Sequence, residues 1–224
     1  MHVLTRSHLS RAAVLFALPL LCSAGGRAIS ITSCQTIQQS GNYHLVQDIA
    51  TDVAGATCIE VLASDVELHL DGFTIRSANA GIRVNAAHNV SITGSGTIEA
   101  ALGIIAFGGA SGTKIVNVTI RADASYAVHL NHATDAVIVG NTLISSATGV
   151  GSTGVHIFLS NDNIVRANKV SGFTYGITLV ASSGNLVQAN TVSTLLYDLR
   201  DVSTCGANTW KANTYTTFLN QCNP

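Results

Sequence analysis

The feature that most limits what this chain can fold into is an internal repeat of about 22 residues. An apolar residue following a small one recurs as Ile59, Ile82, Ile104, Val128, Val155 and Ile177, with Leu199 after Asp198, at spacings of 23, 22, 24, 27, 22 and 22. Two residues further on runs a second column: Val61, Val84, Ala106, Leu130, Ile157 and Leu179. A third column, Ile75, Ile98, Ile120, Leu143, Val170, Val192 and Tyr215, advances by 23, 22, 23, 27, 22 and 23. Columns that keep step in this way mark a stacked array, in which no single repeat could bury its own apolar face.

The apolar runs are short, β-branched and separated by Gly and Asn, as strands are. No segment holds a 3.6-residue period long enough for a helix. Charged residues make up 10% of the chain and hydrophobic ones 47%, which excludes a disordered polymer. Three short strands per repeat, with apolar columns filling the interior, describe an all-β solenoid of parallel strands with about seven turns.

The segments GIRVNAAHNVSITGSGTI, GVHIFLSNDNIVRANKV and GITLVASSGNLVQANTV carry the repeat most clearly. With the opening CQTIQQSGNYHLVQDIA and CIEVLASDVELHLDGFTI, they resemble the right-handed parallel β-helix of the pectate-lyase-like superfamily, and more closely its small exported members. The resemblance spans residues 34–222 and implies a single-stranded right-handed β-helix with a cap at each end. It implies no particular activity. Polygalacturonase-like relatives carry NTD, DD, GHG and RIK motifs, none of which occurs here, and DGFTI at 71–75 resembles a structural turn of the small exported proteins. Nucleophile elbows, Walker loops and HExxH are also absent.

Residues 1–24 have the form of an export signal: Arg6 and Arg11, an apolar run from Ala12 to Leu21, then small residues, with cleavage after Ala24 or as late as Ala28. The run is too short to span a bilayer. Removing Arg6 and Arg11 leaves nine basic against twelve acidic residues, a charge of −3 with no footprint for nucleic acid. The expected location is secreted or periplasmic. The expected organisation is an N-terminal cap over 29–57, the β-helix over 58–200 and a C-terminal cap over 201–224, where Asp201 interrupts the second column.

Export also makes the cysteine count even. Without Cys22, the set is Cys34, Cys58, Cys205 and Cys222, which favours disulfides over a metal site. Four cysteines allow three connectivities; the local pairs Cys34–Cys58 and Cys205–Cys222 are expected. Each closes a loop of about twenty residues, worth about 3 kcal/mol.

Side chains alternate along a strand. Between the first two apolar columns therefore runs an outward one: Glu60, Arg83, Ile105, His129, His156, Thr178 and Arg200. The next outward column is Leu62, Asn85, Phe107, Asn131, Phe158 and Val180. Neighbouring turns lie about 4.8 Å apart, which sets His129 beside His156, with Asn131 and Phe158 adjoining. Phe107, His129, Asn131, His156 and Phe158 are accordingly the candidate glycan-binding residues, against the plain alternative of an exposed strand tiled with His and Phe. Two irregular segments border this face. Five extra residues fall within ISSATGVGST, 144–153, and FGGASGT, 107–113, lengthens another turn by about two.

Asp135 and Asp162 occupy equivalent positions two residues before Val137 and Ile164. Stacked about 5 Å apart, such a pair could serve as acid and nucleophile of a retaining glycosidase, or share Ca2+. The column continues as Thr113 and Gly184, so no third carboxylate is supplied, and turn Asp residues commonly bond their own backbone. No other metal or cofactor motif is present. Asn141, Asn168, Asn190 and Asn213 form a structural column, expected to stack amide on amide and to take left-handed turn dihedrals.

Three functional readings follow. The first is an exported β-helix that contacts polysaccharide through the His129, His156 and Phe158 face as a binding module. The second is a reduced lyase, epimerase or glycoside hydrolase using His129 or His156 as base with Asp135 and Asp162. The third is a purely structural surface protein.

Overall fold

The computed structural model describes residues 27–145 and 151–222; the signal segment and most of the five-residue insertion lie outside them. Each repeat lays down three short strands on three faces, and every strand pairing is parallel. One face is a nine-stranded sheet. The other two merge into a 14-stranded sheet, because Thr74–Asn85 and Thr97–Phe107 bend through the corner between them. The result is a parallel β-solenoid of about eight turns, close to the seven expected. The additional pairing comes from residues 29–57, whose strands sit in register with the following turn, Ile29 on Tyr43 and Ile49 on Ile75.

The three apolar columns are the interior. The first pairs in register from Ile59 to Leu199, and every member is fully buried. The small residue before it has a steric reason. A methyl on Gly103 would collide with the Ala127 carbonyl oxygen of the next turn, and one on Gly176 with that of Asp198. The third column is buried through Val192, but Tyr215 is 45% exposed, which corrects its place in the core. Its ring meets Phe218 edge-on at 5.8 Å, at the last strand among the described residues.

Asp201 keeps the inward direction of the second column and is buried. It terminates the stack by accepting hydrogen bonds from Trp210 Nε1 at 2.9 Å and the Ser203 amide at 3.0 Å. Asp198 does the same beside it, accepting from the amides of Thr194, Thr216 and Thr217, bonds that hold its carboxyl below the usual range against the opposing effect of burial. Cys34–Cys58 and Cys205–Cys222 are both formed, one near each end.

The Asn column is a buried ladder. Asn141 Nδ2 donates to Asn168 Oδ1 at 3.0 Å, Asn168 Nδ2 to Asn190 Oδ1 at 3.0 Å, and Asn190 Nδ2 to Asn213 Oδ1 at 2.9 Å. None of these four is left-handed. That conformation falls to the residue before each, Gly140, Ala167, Ala189 and Ala212, because an amide turned inward to bridge two turns needs its own backbone extended. A second ladder, Asn163, Asn185 and Asn208, runs at another corner.

Candidate functional site

The strands Tyr126–Asn131, Thr153–Phe158 and Tyr175–Val180 form the middle of the outward face. Register pairs His129 with His156 and His156 with Thr178, while Asn131 faces Phe158 on one side and Phe107 on the other. The two imidazoles lie 5.0 Å apart between ring centres, and the His156 ring is stacked on Phe158 at 6.1 Å. Phe107 and Phe158 do not touch, since Asn131 stands between them.

Tyr126 and His132 were not evident from the sequence, while Arg83 and Arg200 belong to the outward column already read there. Tyr126 packs against both histidines, at 4.5 Å from His129 and 4.9 Å from His156. His132 meets Phe158 edge-on at 6.3 Å and donates Nδ1–H to Asn131 Oδ1. Arg83 sits 4.8 Å over the Phe107 ring, and Arg200 sits 5.4 Å over Tyr175, which stacks on Tyr197. A signal existed for the tyrosines: Tyr126, Thr153, Tyr175 and Tyr197 align two residues before the first apolar column. Beside this row lies a shallow depression of about 300 Å³ lined by Asn79, Arg83, Ile105, Phe107 and Asn131.

Burial pushes both imidazoles down to about 4, with His129 and Arg200 adding to the effect on His156. Both rings are therefore neutral at pH 7. Three consecutive members of the column also carry a buried polar atom without a partner: His129 Nε2, His156 Nδ1 and Thr178 Oγ1. An unsatisfied buried donor or acceptor costs about 1–3 kcal/mol, so this row is energetically exceptional in the fold.

Asp135 and Asp162 lie elsewhere, in the turn after the histidine strand. Both are exposed and left-handed, with φ of 56° and 58°. Their column is Asp65, Asn89, Gly112, Asp135, Asp162 and Gly184, all left-handed, so Gly112 and not Thr113 aligns with Asp135. Asp serves here because it tolerates this conformation. A methyl on Gly184 would strike the Asp162 carboxylate, so that carboxylate leans over the next turn. Among the described residues no three His, Cys, Asp or Glu side chains are placed to hold a metal ion.

The insertion within 144–153 adds five residues between Leu143 and Val155 compared with Val170 to Ile177, though residues 146–150 lie outside the description. FGGASGT adds one residue rather than two: Ile104 to Ile115 spans eleven, where Val128 to Ile138 spans ten. The other falls in Arg121–Tyr126, where the chain turns back onto the same face.

Residues 25–221 match the family described as "Periplasmic copper-binding protein (NosD)". No curated protein sequence matches the chain. Among solved structures, the Dettilon tailspike protein aligns at 14% identity with a TM-score of 0.49, over 83% of this chain and 54% of that one. PfbA, a surface adhesin of Streptococcus pneumoniae, aligns at 15% identity with a TM-score of 0.39, over 69% of this chain and 43% of that one. This chain thus spans about half the length of either. The family match and the two disulfides make this a secreted or periplasmic β-helix protein.

Proposed function

The chain belongs to the NosD family, and we propose, from its outward face, that this envelope or secreted β-helix binds glycan on that aromatic surface. The observation that carries this reading is the contiguous outward row of rings formed by Tyr126, His129, His156 and Phe158. Aromatic side chains offer broad apolar faces with polar edges, which suits the C–H faces and hydroxyls of a sugar ring. Neutral imidazoles can each donate and accept, as hydroxyl groups require. Asn131 and Phe107 extend the surface, and Arg83 and Arg200 flank it. The test is retention of the purified protein on a panel of acidic and neutral glycans, comparing wild type with Phe158→Ala.

The alternative of a reduced lyase or hydrolase finds less support. Asp135 and Asp162 stand in an exposed turn, and the histidine column bears no carboxylate next to His129 or His156.

The family description supports a second reading, copper binding, and the donors of this chain limit its form. Cys34, Cys58, Cys205 and Cys222 are all consumed in disulfides, so the thiolate sites that favour Cu(I) are not offered by them. Imidazole and carboxylate donors remain, and these suit Cu(II).

A further inference from the structure

Arg83 and Arg200 stand at the two ends of the histidine column on the aromatic face. The register runs Arg83, Ile105, His129, His156, Thr178 and Arg200 on successive parallel strands. At about 4.8 Å per strand, the steps between them separate the two positions by about 24 Å. Both side chains are partly exposed.

Each guanidinium lies over an aromatic ring, Arg83 at 4.8 Å from the centre of Phe107 and Arg200 at 5.4 Å from that of Tyr175. Among the described residues neither makes a hydrogen bond or an ion pair. Arg76, by contrast, is paired with Glu99 at 2.8 Å and with Asp48 at 3.7 Å. Stacking occupies the flat face of a guanidinium and leaves its rigid fork of N–H donors open at the edge. The ring contact also holds the side chain in place before a ligand arrives, which lowers the entropy lost on binding.

The charge around them is one-sided. Without Arg6 and Arg11 the chain carries nine basic against twelve acidic residues, yet the two outward columns of this face hold a single carboxylate, Glu60. Glu60 is the register neighbour of Arg83, which leans instead over Phe107 on the strand beyond. Arg200 has Thr178 on one side and Leu219 on the other. Asp198 and Asp201 of its own strand are buried, and their oxygens accept from Thr216, Thr217, Ser203 and Trp210. The positive charge of Arg200 reaches along the row, since it helps to keep the His156 ring neutral.

We propose that the glycan taken by this face is acidic, and that Arg83 and Arg200 each receive a carboxylate or sulfate group of a single chain lying along the solenoid axis. A guanidinium edge meets either group with two parallel N–H···O bonds, shorter and about twice as strong as neutral ones. Between the arginines the chain crosses His129, His156 and Phe158, whose uncharged rings meet its C–H faces and hydroxyls whether or not it is acidic. Arg83 and Arg200 are therefore the residues that select an anionic chain over a neutral one. This assignment rests on the glycan reading above, to which it adds the charge and the direction of the ligand.

The test is calorimetric affinity of the purified protein for three probes at low and high salt: an oligouronate, the same oligomer with its carboxyl groups reduced to alcohols, and a sulfated neutral glycan. Wild type should bind one of the acidic probes at least about tenfold more tightly than the reduced oligomer, a preference that shrinks at high salt. Which acidic probe it prefers identifies the group as carboxylate or sulfate. Arg200→Gln and Arg83→Gln should each weaken the acidic probe about tenfold and leave the reduced oligomer within about twofold. Lys114→Gln, the same loss of charge on the exposed nine-stranded sheet, should change neither. The comparison of probes on wild type needs no variant to fold. Equal affinity of wild type for acidic and reduced chains would overturn the acidic assignment and leave the glycan reading standing, as would an acidic preference that Lys114→Gln lowers as much as Arg200→Gln. An effect of one arginine alone would overturn the single chain spanning both. Retention of no glycan of any charge would overturn the glycan reading itself.

Discussion

His129 and His156 stand directly opposite each other on neighbouring parallel strands, with ring centres 5.0 Å apart and one ring nitrogen of each buried without a partner. Tyr126 lies against both. A stacked solenoid makes such pairs at no cost in chain reach, because equivalent positions of successive turns are always about 4.8 Å apart. The same geometry that builds the core therefore writes continuous stripes of chosen side chains on the outside.

This pair makes stability depend on pH. Both histidines fall from an ordinary value of 6.5 to about 4 on folding, because burial disfavours the charged ring. Between those values the unfolded chain binds more protons than the folded one, so stability rises with pH across that window and falls on acidification. Denaturant unfolding at pH 7.5, 6 and 5 should show this loss in wild type and a flatter slope in His129→Gln/His156→Gln. Asp198 acts in a separate window. Its lowered carboxyl stabilises the fold above the unfolded value of 3.8, and that contribution disappears only as the pH falls below it. Equal slopes in the two proteins between pH 7.5 and 5 would contradict burial of the pair.

Replacing Ile157 by Asp tests the strand register. Ile157 is fully buried between Leu130 and Leu179 in the second column. A carboxylate there removes the packing and leaves a charge without a partner, a loss of at least about 4 kcal/mol. Circular dichroism should show an unfolded or strongly destabilised chain. An unshifted melting transition would mean that the strand faces are reversed.

Asn168→Ala should cost about 3–5 kcal/mol, since it strands several buried groups at about 1–3 kcal/mol each, not fully additive. Its Oδ1 receives the amide and side chain of Asn141, and its Nδ2 reaches Ile138 O and Asn190 Oδ1. Asn131→Ala, on the outward face, should change stability by no more than about 0.5 kcal/mol. Equal effects of the two would argue against the ladder.

The cysteine pairs make a separate prediction. Cys34→Ser/Cys58→Ser should lower stability by about 3 kcal/mol, and non-reducing peptide mapping should link Cys34 to Cys58 and Cys205 to Cys222. Free thiols at these positions would contradict both bridges.

The sequence revealed the fold because apolar residues at fixed spacing have only one way to be buried together. Ile104, Val128 and Val155 are therefore recognisable as neighbours from their spacing alone. Outward pairs such as His129 and His156 followed from the same register. What stayed hidden depends on local turn conformation. Counting along the chain sets Thr113 beside Asp135, but one inserted residue shifts the count and Gly112 holds that place. The left-handed residue proved to be Ala167 rather than Asn168, since inward stacking of the amide outweighs the intrinsic preference of Asn. Stacking of His44 on His69 is hidden for another reason: His44 lies in 29–57, before the regular repeat begins, so the repeat spacing does not align it with the next turn.

The central claim is that the outward aromatic row binds glycan, and affinity of wild type, Phe158→Ala and Asp135→Asn for a glycan panel tests it most directly. Removing the Phe158 ring takes away one stacking surface beside His156. That should weaken binding of the retained glycan about tenfold, while Asp135→Asn, in its exposed turn, should leave affinity within about twofold. New reducing or unsaturated ends should not appear with any of the three proteins. Retention of no glycan by wild type would contradict the account. So would turnover that Asp135→Asn abolishes while Phe158→Ala has no effect.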